Sequence, residues 1–79
     1  MKTFNVTYIG ENTRFANFSE EVKAENPKQA LLKVLNGRID LFEQEDGWIK
    51  DSDNDIVFNP DFPYLFHFDF GYFYSEELN

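Results

Sequence analysis

A chain of 79 residues with seven Lys and Arg against 15 Asp and Glu carries a net charge of −8. That length makes one domain, residues 1–79. The charge argues against direct contact with DNA, RNA or anionic membrane, all of which need Lys and Arg to neutralise phosphate. The absence of cysteine excludes a disulfide framework and a thiolate metal site, and no apolar run reaches the length of a signal-peptide core or a membrane span, so a cytoplasmic protein is expected.

Residues 3–9 alternate, with Phe4, Val6 and Tyr8 on one face and Thr3, Asn5 and Thr7 on the other, which predicts a half-buried strand. Gly10-Glu11-Asn12-Thr13 reads as a turn, and residues 14–25 as a second extended run. Phe15 is out of phase there, which implies a bulge or a shift in register near Ala16 and Asn17. Asn26 is an N-cap residue, Pro27 suits the first helical position, and Gln29 sits where a capping box wants Glu or Gln. Ala30, Leu31, Val34 and Leu35 recur at helical spacing, and Asn36-Gly37 supplies a left-handed stop, which predicts a helix over about residues 27–36.

Short extended pieces follow: Ile39 to Glu43, Trp48 to Lys50 and Asp55 to Phe58. They are separated by turn signals at Glu45-Asp46-Gly47 and Asp51-Ser52-Asp53-Asn54. The fold class expected is α+β, in the order ββαβββ, with the one helix packed on one face of an antiparallel sheet. Residues 75–79 read as a frayed acidic tail.

From Phe62 to Tyr74 every even position is aromatic: Phe62, Tyr64, Phe66, Phe68, Phe70, Tyr72 and Tyr74. Seven such rings at roughly 150 Å² each would expose on the order of 1,000 Å², more than the roughly 300–600 Å² of an ordinary monomer's largest patch. A single strand of that length would run about 43 Å, far beyond the cover of one short helix. Pro63 and Gly71 offer breaks, so the ladder is expected to divide. Tyr64, Phe66, Phe68 and Phe70 should face the core beneath Leu31, Val34 and Leu35, and Tyr72, Phe73 and Tyr74 should be left for a partner.

No motif of comparable strength carries chemistry. Asp51, Asp53 and Asp55 have the spacing of the first three ligands of an EF-hand loop. The sixth position is Ile56 instead of Gly and the twelfth is Phe62 instead of Glu, so they are a weak calcium candidate and read more simply as a solvated turn. His67 and Asp69 lie two apart, yet no nucleophile accompanies them, and they read as an exposed polar strand face. The four glycines are isolated, so no phosphate loop exists. The chain is expected to be non-enzymatic and to need no cofactor. Two glycosylation sequons, Asn5-Val6-Thr7 and Asn17-Phe18-Ser19, are chance matches in a protein without a secretory signal.

The acids are the more telling feature. Residues 51–79 hold seven acids and no Lys or Arg, and eight acids fall within residues 40–61 with Lys50 the one base among them. In extended chain, carboxylates two residues apart stand roughly 6.5–7 Å apart, a spacing approaching that of neighbouring phosphates along a strand.

The ββα start, the Val22-x-Ala24-x-Asn26-Pro27-x-Gln29-Ala30 junction, the acidity and the short length resemble the small phage-encoded inhibitors of bacterial defence, including anti-CRISPR proteins of ββαββ type. The resemblance is architectural and covers residues 1–58. It implies binding without catalysis: an inhibitor or nucleic-acid mimic that occupies a basic surface of a nucleic-acid-handling complex, such as a nuclease or a CRISPR effector subunit, in the host-cell cytoplasm. The residues expected to meet that partner are Glu43, Glu45, Asp46, Asp51, Asp53 and Asp55, with Trp48, Tyr72 and Tyr74 as aromatic anchors. The alternatives are a protein–protein interaction or homodimerisation module built on the aromatic C-terminal strand, and a weak calcium-binding domain using Asp51, Asp53 and Asp55.

Overall fold

A computed structural model describes residues 1–10 and 16–78. Among these are one helix and seven strands. The strands are β1 (Lys2–Gly10), β2 (Phe18–Ala24), β3 (Leu41–Glu43), β4 (Ile49–Asp51), β5 (Ile56–Phe58), β6 (Leu65–Phe68) and β7 (Gly71–Leu78), and helix α1 (Pro27–Leu35) follows β2. They form two antiparallel sheets, one of four strands in the order β2-β1-β7-β6 and one of three in the order β3-β4-β5. The expected single sheet with three strands after the helix is thereby corrected: five strands follow the helix, and they divide between two sheets. The turn expected after Gly10, and Phe15, lie outside the described residues; Ala16 and Asn17, near which the bulge or register shift was expected, precede β2 without belonging to it.

The helix forms for the reasons its sequence gives. The Asn26 side chain accepts a hydrogen bond from the Gln29 amide at 2.9 Å, satisfying one of the donors left open at a helix start. Gly37, at φ +79°, turns the chain out of the helix. Ala30, Leu31, Val34 and Leu35 are all buried against the inner face of the four-stranded sheet. Lys28 ties the helix to the second sheet: its ammonium meets the Glu43 carboxylate at 3.0 Å and lies 5.6 Å from the centre of the Phe58 ring.

The aromatic ladder does break, at the Asp69-Phe70 turn, and the break reverses its phase. Phe68 pairs with Gly71, Phe66 with Phe73 and His67 with Tyr72. Across a two-residue hairpin loop, even positions of one strand must face odd positions of the other. Phe66 and Phe68 therefore point into the core as expected, and Phe73, expected to be left for a partner, joins them there with no exposed surface. Tyr64 is the opposite correction. Expected inside, it precedes β6 and is 47% exposed, edge-on to Phe62. Phe70 lies half-buried against the core. His67 is exposed as expected, on a face that is mixed: Ile9, Leu65, Tyr72 and Tyr74 lie beside it and Thr7, Asn5 and Ser19 farther across the sheet, while Asp69 falls in the hairpin turn and not on the strand. The residues expected in an acidic tail continue β7 as far as Leu78, which pairs with Thr3.

The inner face is a ring cluster. Tyr8 packs on Phe73 with centroids 4.6 Å apart, Phe58 on Phe66 at 4.7 Å and Phe68 on Phe70 at 5.0 Å. Tyr8 reaches over two facing glycines, Gly10 and Gly71, to donate a hydrogen bond to the Phe70 carbonyl at 3.2 Å.

Among the described residues, one buried side-chain polar atom has no hydrogen-bond partner, the Ser75 hydroxyl. It lies opposite Val6 on the inner face and is 8% exposed. An unsatisfied buried hydroxyl costs about 1–3 kcal/mol of desolvation. Ser75→Ala is expected to raise stability by about 1 kcal/mol, read as a higher urea midpoint at unchanged slope. A lowered midpoint would show that the hydroxyl is satisfied.

Candidate acidic docking surface

The three-stranded sheet is a meander whose two turns are both made by aspartates. In the first turn, the Asp46 carboxylate accepts from the Trp48 amide at 3.1 Å, and the Gln44 amide donates to the Trp48 carbonyl at 2.7 Å. In the second, Asp51 Oδ1 accepts from the amides of Asp53 and Asp55, each at 3.0 Å, and Asn54 takes the left-handed conformation at φ 66°. These side chains mimic a backbone turn, which explains their identity locally. Carboxylate oxygens not engaged in these bonds remain available. Asp53, Asp55, Glu45 and Asp46 are exposed, and Asp51 is half-buried.

The turns lie at opposite ends of β4, a strand three residues long and hence roughly 10 Å. Glu45 and Asp46 stand at one end. Asp51, Asp53 and Asp55 stand at the other, joined by Asp40, which precedes the Leu41 that pairs with Asp51. Among the described residues the ion pairs are Lys28–Glu43 at 3.0 Å and Lys2–Glu77 at 3.6 Å. Glu43 is thus engaged by the helix, whereas Glu45, Asp46, Asp51, Asp53 and Asp55 have no cation bound to them there.

Between the two acidic ends lies an outward face that the sequence reading did not identify. Phe42 pairs with Lys50, and Lys50 with Ile56, placing these three in one row across the sheet. Phe42 is 54% and Ile56 56% exposed. Trp48, half-buried at the start of β4, does not belong to the core cluster. The signal that could have found Phe42 and Ile56 is period-two alternation, but in strands of three residues it needs the register to be known first. Tyr72 and Tyr74 lie elsewhere, half-buried on the open face of the four-stranded sheet with ring centroids 6.0 Å apart. The acids and the tyrosines therefore occupy different sheets.

The carboxylates of Asp51, Asp53 and Asp55 bring oxygens within 4.8 Å of one another. Calcium takes six to eight oxygens. The chain offers three carboxylates here, one oxygen of which already accepts two backbone amides, and the positions that would complete the loop are Ile56 in β5 and Phe62. Among the described residues no helix is long and apolar enough to cross a membrane.

Comparison with protein families, with curated proteins and with solved structures found no match to this chain.

Proposed function

We propose that the chain is a non-enzymatic binding protein that occupies a basic surface on a partner of the nucleic-acid-handling kind, acting as an inhibitor or decoy of the anti-CRISPR or anti-restriction type. The observation that carries this reading is the outward face of the three-stranded sheet: exposed Phe42 and Ile56 on either side of Lys50, and acids without a described ion pair at both ends of β4. Such a surface divides the work of binding. Acids at the rim accelerate encounter with a basic partner, and desolvated apolar side chains at the centre supply the affinity. Isosteric Asn and Gln replacements at Glu45, Asp46, Asp51, Asp53 and Asp55 retain the turn-forming oxygens while removing the charge.

The test is target-DNA cleavage by purified CRISPR effectors and restriction nucleases, measured with increasing amounts of the protein. Inhibition is expected to weaken by about tenfold or more between roughly 50 and 300 mM salt, and to fall similarly in the five-site neutral variant. Inhibition indifferent to both would rule out the electrostatic mechanism.

A second reading, a protein–protein or homodimer surface on the C-terminal strand, is favoured by one observation. Ile9, Leu65, Tyr72 and Tyr74 share a sheet face opposite the one that helix α1 packs against.

A further inference from the structure

The two sheets meet at β5 and β6, and no hydrogen-bonded ladder joins these strands. Between them runs a groove of about 160 Å³. Buried Val57 and Phe58 contribute to its lining, as do Ile56, Phe62, Leu65 and His67. Ile56 comes from the outward face of the three-stranded sheet and Leu65 and His67 from the open face of the other, so the groove makes the two faces continuous. Its lining is predominantly apolar, and Asn59, also at its edge, already uses its side-chain oxygen to accept the Asp61 amide at 2.9 Å. An apolar cavity of about 150 Å³ holds a benzene ring, so this groove has room for one large apolar side chain.

Its surroundings specify the chemistry of what enters. Ile56 and Phe62, both more than half exposed, are each preceded directly by an acid, Asp55 and Asp61. Lys50 stands opposite Ile56 on β4, and no Lys or Arg follows it in the chain, so Asp55 and Asp61 outnumber it at this edge. An apolar segment of acidic character would be repelled here, whereas a basic one would be drawn in.

We infer that the groove between β5 and β6 is an anchor pocket for a single large apolar side chain, leucine- or phenylalanine-sized, presented by a basic segment of the partner protein. This rests on the acidic docking surface proposed above and adds to it the site where affinity is concentrated. The acids steer the segment, and the pocket desolvates one side chain of it.

The experiment uses two fluorescein-labelled peptides of about 12 residues, identical in their Arg and Gly-Ser content, one with a central phenylalanine and one with a central serine. Anisotropy titrations against the wild-type chain are expected to show the phenylalanine peptide binding about tenfold more tightly. In the double variant Phe62→Ser with Ile56→Thr, both at exposed positions, that advantage should vanish while the serine peptide binds as before. In Asp55→Asn with Asp61→Asn both peptides should weaken by the same factor. Equal affinity of the two peptides for wild type, with the dependence on the acids retained, would overturn the pocket and leave the acidic surface standing. An advantage of phenylalanine that survives in the Phe62/Ile56 variant would overturn the pocket as well. Binding of neither peptide would overturn the acidic surface and the pocket with it.

Discussion

Gly71→Ala is expected to cost about 3 kcal/mol or more, at least a quarter of the protein's total stability. A chain of this length is stable by only about 4–12 kcal/mol, at about 0.05–0.15 kcal/mol per residue. A β-carbon built on Gly71 would lie 2.6 Å from the Gly10 α-carbon, 2.6 Å from the Ile9 carbonyl oxygen and 2.8 Å from the Tyr8 hydroxyl. Two of these three are backbone atoms of the neighbouring strand β1 and cannot move aside without opening the ladder at its Gly10–Gly71 pair. The φ of +153° at Gly71 adds strain for any L side chain. Gly37→Ala is the control, because Gly37 also has positive φ, +79°, but nothing lies within 4 Å of its missing β-carbon. It should lose only about 1–2 kcal/mol. Urea melts of the two variants separate close approach from backbone strain. Equal losses would mean that the Tyr8 ring and the paired glycines do not lock the sheet.

The parts of the fold legible in the sequence are those whose determinants are local. Asn26-Pro27 and Asn36-Gly37 bracket the helix because caps act over three or four residues, and the observed helix, Pro27–Leu35, ends within one residue of the expected one. Strand β1 was legible because one face is buried along most of its length, so alternation is nearly unbroken. Phe66 and Phe68 were legible for the same reason. What the sequence did not disclose depends on register. Phe73 and Tyr72 exchange faces because the loop between β6 and β7 has two residues, and a one-residue change in that loop would restore the even phase. Phe42 and Ile56 flank Lys50 across three strands, an arrangement invisible until the meander is paired. The division into two sheets was equally hidden, since Asn59-Pro60-Asp61 breaks the chain in the same way whether the next strand joins the same sheet or another.

This difference bears on function as well as fold. The acids of residues 40–61 were conspicuous as composition, and two of them, Asp46 and Asp51, have a local role in building turns. The pairing of β3, β4 and β5 places the two acidic turns on either side of the Phe42–Lys50–Ile56 row, the arrangement on which the proposed docking rests. Charge without that row would bring a basic partner near without holding it, because exposed ion pairs contribute only about 0–1 kcal/mol each.

Phe73→Ala is expected to be among the most damaging single truncations in the chain, at about 3–5 kcal/mol, whereas Tyr72→Ala next to it should cost about 1 kcal/mol or less. Phe73 is fully buried, with ring centroids of Tyr8 at 4.6 Å, Phe68 at 5.8 Å and Phe18 at 6.1 Å. Its removal opens a void where β1, β2 and β6 each contribute a ring, and none of the three can collapse into it without leaving its own strand's register. Tyr72 is half-buried on the opposite face, against Tyr74 at 6.0 Å, and its truncation exposes neighbours that already border water. The two residues are adjacent in sequence and similar in size, so the contrast isolates the hairpin register from every other variable. Thermal or urea melts of the two variants decide it. If Tyr72→Ala proved the more destabilising, the ladder would keep its even phase through Gly71, and the open face of the four-stranded sheet would be lined by Phe73 instead of the tyrosines. If the order is as expected, Tyr72 and Tyr74 remain on the open face of the four-stranded sheet, where truncation leaves the core intact.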